Sequence, residues 1–300
     1  MNTLISSSPT HKAGFVSIIG KPNVGKSTLM NLLLGERLSI VSPKAQTTRH
    51  RIMGILNGED YQIVYSDTPG IITPVYELQK KMMEFVNHTF EDADLVLWLI
   101  TPEEKPENHI ASEAVKTLLG VPLVIAINKI DQCTAEEVEQ CKTLWQQFFA
   151  EAILMPISAK EAKNTNSLFE LVLSKMPFHP PYFPKDELTD RSERFFAAEI
   201  IREKIFFNYT QEIPYATEVV ITDFKEEENI VRMRAEIYVE RPSQKSIIIG
   251  KQGSALKKVG TEARLTLEDF FQKKVYLEQH VKVAQDWRKK TLLLKRFGYE

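Results

Sequence analysis

Short apolar runs alternate with helix-spaced apolar positions along the first 176 residues of the chain. Residues 15–19, 61–65, 95–100, 123–127 and 153–157 are apolar with little in–out alternation. Strands of that kind are buried on both faces, as in a parallel sheet covered by helices. Between them, 27–34, 78–90, 111–119, 135–149 and 167–176 carry apolar residues at helical spacing. Segments 50–57 and 61–66, separated by Gly58-Glu59-Asp60, predict one antiparallel hairpin within the same sheet. The expected fold of 13–176 is α/β, a doubly wound sheet.

The pattern breaks at 176–184 (MPFHPPYFP), where four prolines in nine residues can neither continue a helix nor sit in a central strand. Beyond it the order differs. A helix is predicted over 191–209 (Phe195, Ala198, Ile201, Ile205), then alternating strands over 217–224 and 230–240 around an acidic turn at 225–229. A short helix ending near Gly250, a longer one over 254–271, a strand over 275–283 and a final helix over 287–296 complete a smaller α+β unit. The division is thus a flexible N-terminus (1–12), a first domain (13–176), a Pro-rich linker (177–190) and a second domain (191–300). A length of 300 residues, about twice that of a usual single domain, agrees with this.

Composition narrows the class. With 43% hydrophobic and 26% charged residues the chain reads as an ordinary globular protein. Its apolar runs are far shorter than the ~20 residues of a membrane span, and its start lacks the basic and apolar regions of a signal peptide. Cys133 and Cys141 show neither zinc nor disulfide spacing. A cytoplasmic protein is expected. The net charge of −2 conceals an asymmetry: 241–300 holds 14 basic and 6 acidic residues, leaving 24 and 34 for the rest. That end suits a polyanion partner, although a solvated helical pair would have the same charge.

Candidate chemistry begins at Gly20-Lys21-Pro22-Asn23-Val24-Gly25-Lys26-Ser27, which fits the phosphate-binding loop G-x-x-x-x-G-K-[ST] between a predicted strand and helix. Its glycines let successive N–H groups face phosphate oxygens, with the positive end of the helix beneath. Lys26 would neutralise the β- and γ-phosphates and Ser27 would offer a hydroxyl to Mg²⁺. Asp67-Thr68-Pro69-Gly70 follows a strand, placing the Asp67 carboxylate for Mg²⁺ and the Gly70 N–H for the γ-phosphate. Asn128-Lys129-Ile130-Asp131 follows another, at the carboxyl edge where such sheets bind ligands.

The last motif selects the base. A carboxylate accepts two hydrogen bonds side by side, the geometry that guanine N1–H and N2 present and adenine lacks. An Asp131 buried against adenine would be left unpaired. Asn128 and Lys129 would tie the loop and cover the ring, and Ser158-Ala159-Lys160 would bring a backbone N–H to guanine O6. The nucleotide is therefore GTP or GDP.

These loops resemble those of the translation-factor-like GTPases, and Lys44-Ala45-Gln46-Thr47-Thr48-Arg49-His50-Arg51 resembles the first switch of the Era family. The resemblance implies that Thr48, or its neighbour Thr47, closes over Mg²⁺, with Lys26, Asp67 and Gly70 completing the catalytic set. Where many small GTPases carry a water-orienting glutamine after D-x-x-G, this chain has Ile71, so another group must position the water and hydrolysis should be slow in isolation. In related GTPases an asparagine at the place of Asn23 helps to bind K⁺; on the residues alone Asn23 is equally a turn residue.

In the second domain, Gly250-Lys251-Gln252-Gly253 lies between helical segments, with Lys257, Lys258 and Arg264 following. By itself G-x-x-G is a common helix–helix turn, but the element order resembles the bacterial type (type II) of KH domain, whose glycine loop approaches the backbone of single-stranded RNA. Together the two halves resemble the Era family over nearly the whole chain. The resemblance implies a monomeric, GTP-hydrolysing switch that binds ribosomal RNA near the 3′ end of 16S rRNA and acts in small-subunit assembly. It also implies loose peripheral contact with the inner face of the cell membrane. Two other readings remain open: a membrane-associated signalling GTPase, and an RNA-binding protein with a structural nucleotide site.

Overall fold

Four of the five runs expected to be doubly buried strands form the centre of the first unit; the fifth, at 153–156, is half-buried because it lies at the sheet's edge with a strand on one side only. The computed structural model describes residues 10–42, 44–107, 109–116 and 120–299. Most of the N-terminal segment read as flexible, residues 1–9, lies outside them, as do 117–119 of the helix expected over 111–119. Strands β1 (Lys12–Ile19), β2 (Ile52–Asn57), β3 (Tyr61–Asp67), β4 (Leu95–Ile100), β5 (Leu123–Ile127) and β6 (Ile153–Pro156) pair in the order β2-β3-β1-β4-β5-β6. Only the β2–β3 pair is antiparallel among these. Every residue of β4 is buried, as a central strand covered on both faces requires. Helices α1 (Lys26–Leu34), α2 (Glu77–Glu91), α3 (Ser112–Lys116) and α4 (Ala135–Phe148) connect the strands, and α5 (Thr165–Lys175) follows β6. The start of α4 is fixed by a capping box: Thr134 Oγ1 accepts from Glu137 N while the Glu137 carboxylate accepts from Thr134 N. Since β1, β3, β4, β5 and β6 run parallel, their following loops share one edge of the sheet.

The linker is not loose. Gln62, wholly buried, accepts from Tyr182 N and Phe183 N and donates to Phe183 O. Farther on, Ile55 N donates to Leu188 O, Thr189 Oγ1 to Met53 O, and Met53 N to Asp190 Oδ1. Residues 187–190 therefore strap the exposed side of β2, an edge that would otherwise present unpaired backbone, while Pro177 O accepts from Ala13 N of β1. By their contacts they belong with the first unit, whereas 42–47 and 74–81 group with the second.

The second unit contains α6 (Glu193–Asn208), α7 (Ile213–Ala216), β7 (Glu218–Glu226), β8 (Ile230–Val239), α8 (Pro242–Ile249), α9 (Ser254–Phe271), β9 (Lys274–Val283) and α10 (Thr291–Arg296). Its sheet order is β7-β8-β9, the first pair antiparallel and the second parallel. Ile201 and Ile205 of α6 and Val259, Ala263 and Leu267 of α9 pack on Val231, Ala235 and Ile237 of β8. The final helix expected over 287–296 is instead two pieces: a 3-10 turn, Trp287–Lys289, and α10. Lys290, with φ −103° and ψ 106°, leaves the helical region, while the buried Trp287 ring is held by its Nε1–H on Ala216 O. The sequence pattern also gave no sign of α7. Among the described residues, no helix is long and apolar enough to cross a membrane.

Candidate functional site

The loop from β1 into α1 needs its glycines for space as well as torsion. At Gly20, φ is +145° and a Cβ would lie 2.3 Å from Leu99 O; at Gly25, φ is +106° and a Cβ would meet Asn128 Nδ2 at 2.3 Å. Asn23, exposed at φ 64°, takes the left-handed turn geometry that asparagine tolerates. The N-cap of α1 is Gly25, which has no side chain to bond the first N–H groups of the helix. Within the loop Lys26 is buried, its Nζ donating to Gly20 O (3.1 Å) and Lys21 O (2.9 Å). Burial pushes its pKa down to about 8, against the opposing pull of Asp67 and Glu104. Pro22 and Val24 complete the curl, with Val24 buried.

Three oxygen-bearing side chains converge beside it. Ser27 Oγ donates to Asp67 Oδ2 at 2.7 Å and lies 3.0 Å from Thr48 Oγ1, which is 3.4 Å from the same carboxylate oxygen. The neighbouring Thr47 turns its hydroxyl to Lys44 O at 2.7 Å, so Thr48 is the threonine that meets Ser27 and Asp67. Burial raises the Asp67 pKa despite Lys26 and the Ser27 hydroxyl, and Oδ1, fully buried, has no hydrogen bond of normal geometry. An all-oxygen set with one carboxylate oxygen unsatisfied fits a hard dication such as Mg²⁺. Thr68 donates to Ile18 O (2.8 Å), Pro69 is buried, and Gly70 lies so close to the loop that a Cβ would sit 2.6 Å from Pro22 N. Ile71 N donates to Gly20 O at 3.0 Å, while its side chain enters the core with Ile19, Val86, Val96 and Trp98.

The base end differs from expectation in two respects. Asp131 is exposed at the rim, not buried; Ser158 Oγ donates to its Oδ1 at 2.6 Å and this hydrogen bond holds the carboxyl below the usual range. The Ala159 N–H is taken, donating to Asn128 Oδ1 at 2.9 Å. Asn128, buried, also donates from Nδ2 to Val24 O at 2.7 Å, so it braces the phosphate loop against the 158–160 loop rather than facing the base. Lys129 is left-handed (φ 65°) and half-buried, and Lys160 is exposed. All these residues nevertheless line the loops at one sheet edge.

In the second unit Gly250 (φ 72°, ψ 178°), Gln252 (φ 51°) and Gly253 (φ 77°) turn the chain between α8 and α9 within four residues. A Cβ on Gly250 would meet Ala255 Cβ at 2.6 Å. Lys251, Gln252, Lys257 and Lys258 are exposed there, as is Ile247. Arg264, farther along α9, is engaged with Glu268 at 3.1 Å.

Residues 15–129 match the protein-family model described as 50S ribosome-binding GTPase, and 212–288 match that of the KH domain. GTPase Era of Clostridium perfringens is 44% identical over 292 residues, covering 96% of this chain and 98% of that protein. This chain belongs to the Era family of GTPases. Two solved Era structures superpose with TM-score 0.91 at 39% identity, covering 96% of this chain and 99% of each. One is Era in complex with MgGDPNP and nucleotides 1506–1542 of 16S ribosomal RNA; the other is an Aquifex aeolicus Era variant bound to GDP.AlF4⁻.

Two buried residues beside the site carry no motif. Glu104 and His109 lie in the loop after β4, bonded to one another, and Lys21 reaches Glu104, yet no fixed spacing marks them. The only sequence signal was two polar residues close behind a wholly apolar strand at the ligand edge.

Proposed function

We propose that the chain hydrolyses GTP and that its nucleotide state governs binding of single-stranded RNA near the 3′ end of 16S rRNA during small-subunit assembly. The observation that carries this is the superposition, over both domains, with an Era solved holding a GTP analogue and that RNA. The likeness to 50S ribosome-binding GTPases covers 15–129 alone, whereas the likeness to the RNA-bound Era extends through the second domain.

In this reading 13–176 is the GTPase domain, 191–300 the RNA-binding domain and 177–190 the joining segment. Residues 20–27 cradle the phosphates, with Lys26 toward the β- and γ-phosphates and the Gly70 N–H toward the γ-phosphate. Ser27, Thr48 and Asp67 hold Mg²⁺, which supplies charge to the phosphate oxygens. Asp131 pairs with guanine N1–H and N2, Lys129 lies along the ring, and with Ala159 engaged the amide for O6 falls to Lys160. Asn23 is the place for K⁺. The convergence of Ser27, Thr48 and Asp67 on one another, beside the buried Lys26, favours a cycling site over a structural one.

For RNA, the Gly250–Gly253 turn with Lys251, Lys257 and Lys258 offers backbone and cations to phosphates, and exposed Ile247 an apolar surface to a base. Arg264, committed to Glu268, contributes less. We place the protein in the cytoplasm. Peripheral membrane contact finds little support: in the terminal helix Leu294 is buried and Leu292 alone is 81% exposed.

Lys251→Asp is expected to weaken binding of a 16S 3′-end oligonucleotide about tenfold and to flatten its salt dependence, GTP binding being retained. The parent should also bind that RNA with different affinity when loaded with GDP and with a non-hydrolysable GTP analogue, at one salt concentration. Equal affinity in both states would reject the switch, and an unaffected Lys251→Asp would reject the RNA surface.

A further inference from the structure

Behind the phosphate loop, a buried glutamate borders an aromatic cluster. Trp98, Trp145 and His109 meet edge to face with ring centroids 4.9–5.6 Å apart. Glu104 lies against them with 9% exposure, and Trp145 Nε1–H donates to its carbonyl at 3.1 Å. An apolar side chain would occupy such a place at lower cost than a charge.

All four contacts to the carboxylate bring donors. Thr101 N and Oγ1 donate to Oε1 at 2.9 and 3.2 Å. His109 Nε2 and Lys21 Nζ meet Oε2 at 2.7 and 3.2 Å. The His109 ring donates through Nε2 because its Nδ1 accepts from Ala111 N. Burial pushes the Glu104 carboxyl up, but His109, Thr101 and Lys21 outweigh it and hold it below the usual range. An amide at this position would set a donor against donors on one side or the other.

Lys21 connects this group to the loop. Its side chain is drawn to Glu104, and its carbonyl accepts from Lys26 Nζ. We propose that Glu104, oriented by Thr101 and His109, is a positioning residue for GTP hydrolysis: by holding Lys21 it fixes the carbonyl that aims Lys26. This rests on the reading that 20–27 holds the phosphates. The loop is thus braced from two sides, by Asn128 at Val24 and by Glu104 at Lys21.

The test compares single-turnover GTP hydrolysis of the full chain with Lys21→Met, Lys21→Arg, Glu104→Gln and the Lys21→Met/Glu104→Gln double variant. Lys21→Met is expected to slow the chemical step about tenfold through misalignment, read per folded molecule because the variant also takes a cation from a buried carboxylate. Lys21→Arg should recover most of that loss. The double variant should be no slower than Glu104→Gln alone, since both act through one contact. Should Glu104→Gln fail to fold, the Lys21 pair still decides. The proposal is overturned if Lys21→Met hydrolyses GTP at the parental rate, if arginine restores nothing, or if the two losses add. Lys26→Ala serves as the control: loss of GTP binding keeps the phosphate-loop reading standing whatever the other variants do. Parental GTP binding by Lys26→Ala would bring down both.

Discussion

Asp131→Asn is expected to weaken GTP about 100-fold, close to 2.7 kcal/mol, and to improve binding of xanthosine triphosphate. The orientation of the new amide is set by its neighbour. Ser158 Oγ donates to Asp131 Oδ1 and accepts from Glu161 N, so it keeps a carbonyl oxygen facing it and turns the NH₂ toward the base. There it opposes guanine N1–H and N2, whereas xanthine places an oxygen at C2 that can accept from it. Because Asp131 is exposed at the rim, discrimination comes from this pairing more than from stranding a buried charge. Competition of GTP, ATP and xanthosine triphosphate for a fluorescent guanine nucleotide measures it. Comparable affinity of the parent for ATP and GTP would remove the basis of the argument.

A second large effect is expected away from the ligand. Ile71→Ala should destabilise the protein by about 2–4 kcal/mol, because the side chain fills the core beside Trp98 and Val96 and its loss leaves a cavity. Basal hydrolysis per folded molecule should not change, since the Ile71 N–H bond to Gly20 O belongs to the backbone and survives in alanine. Urea unfolding and single-turnover hydrolysis separate the two quantities. A rate loss of about 100-fold in folded protein, near 2.7 kcal/mol, would mean that the side chain acts on the reaction itself.

Ile71 shows where sequence reading reaches its limit. Its place after D-x-x-G tells what it is unable to do, orient water, but not that the chain folds it into the sheet's core. Elements with strong periodicity were legible: α9 occupies 254–271 as its apolar spacing implies, and the unalternated β1, β3, β4 and β5 are buried, whereas β6, at the sheet's edge, is only half so. Trp287 was misread because helical spacing does not register Asp286 in the left-handed region and Lys290 outside the helix. The phosphate and guanine motifs were legible because each position answers to a fixed chemical demand. The division of labour inside them was not. Asn128 spends both polar ends on protein, and Glu104 has no motif, because such bracing depends on which loops the sheet brings together.

Fastening 187–190 along β2 closes an edge of the first unit's sheet from within the same chain. Met53 N, Met53 O and Ile55 N all find their partners in 188–190. A strand added by another molecule would have to displace those bonds first, so the segment guards the sheet against edge-to-edge association.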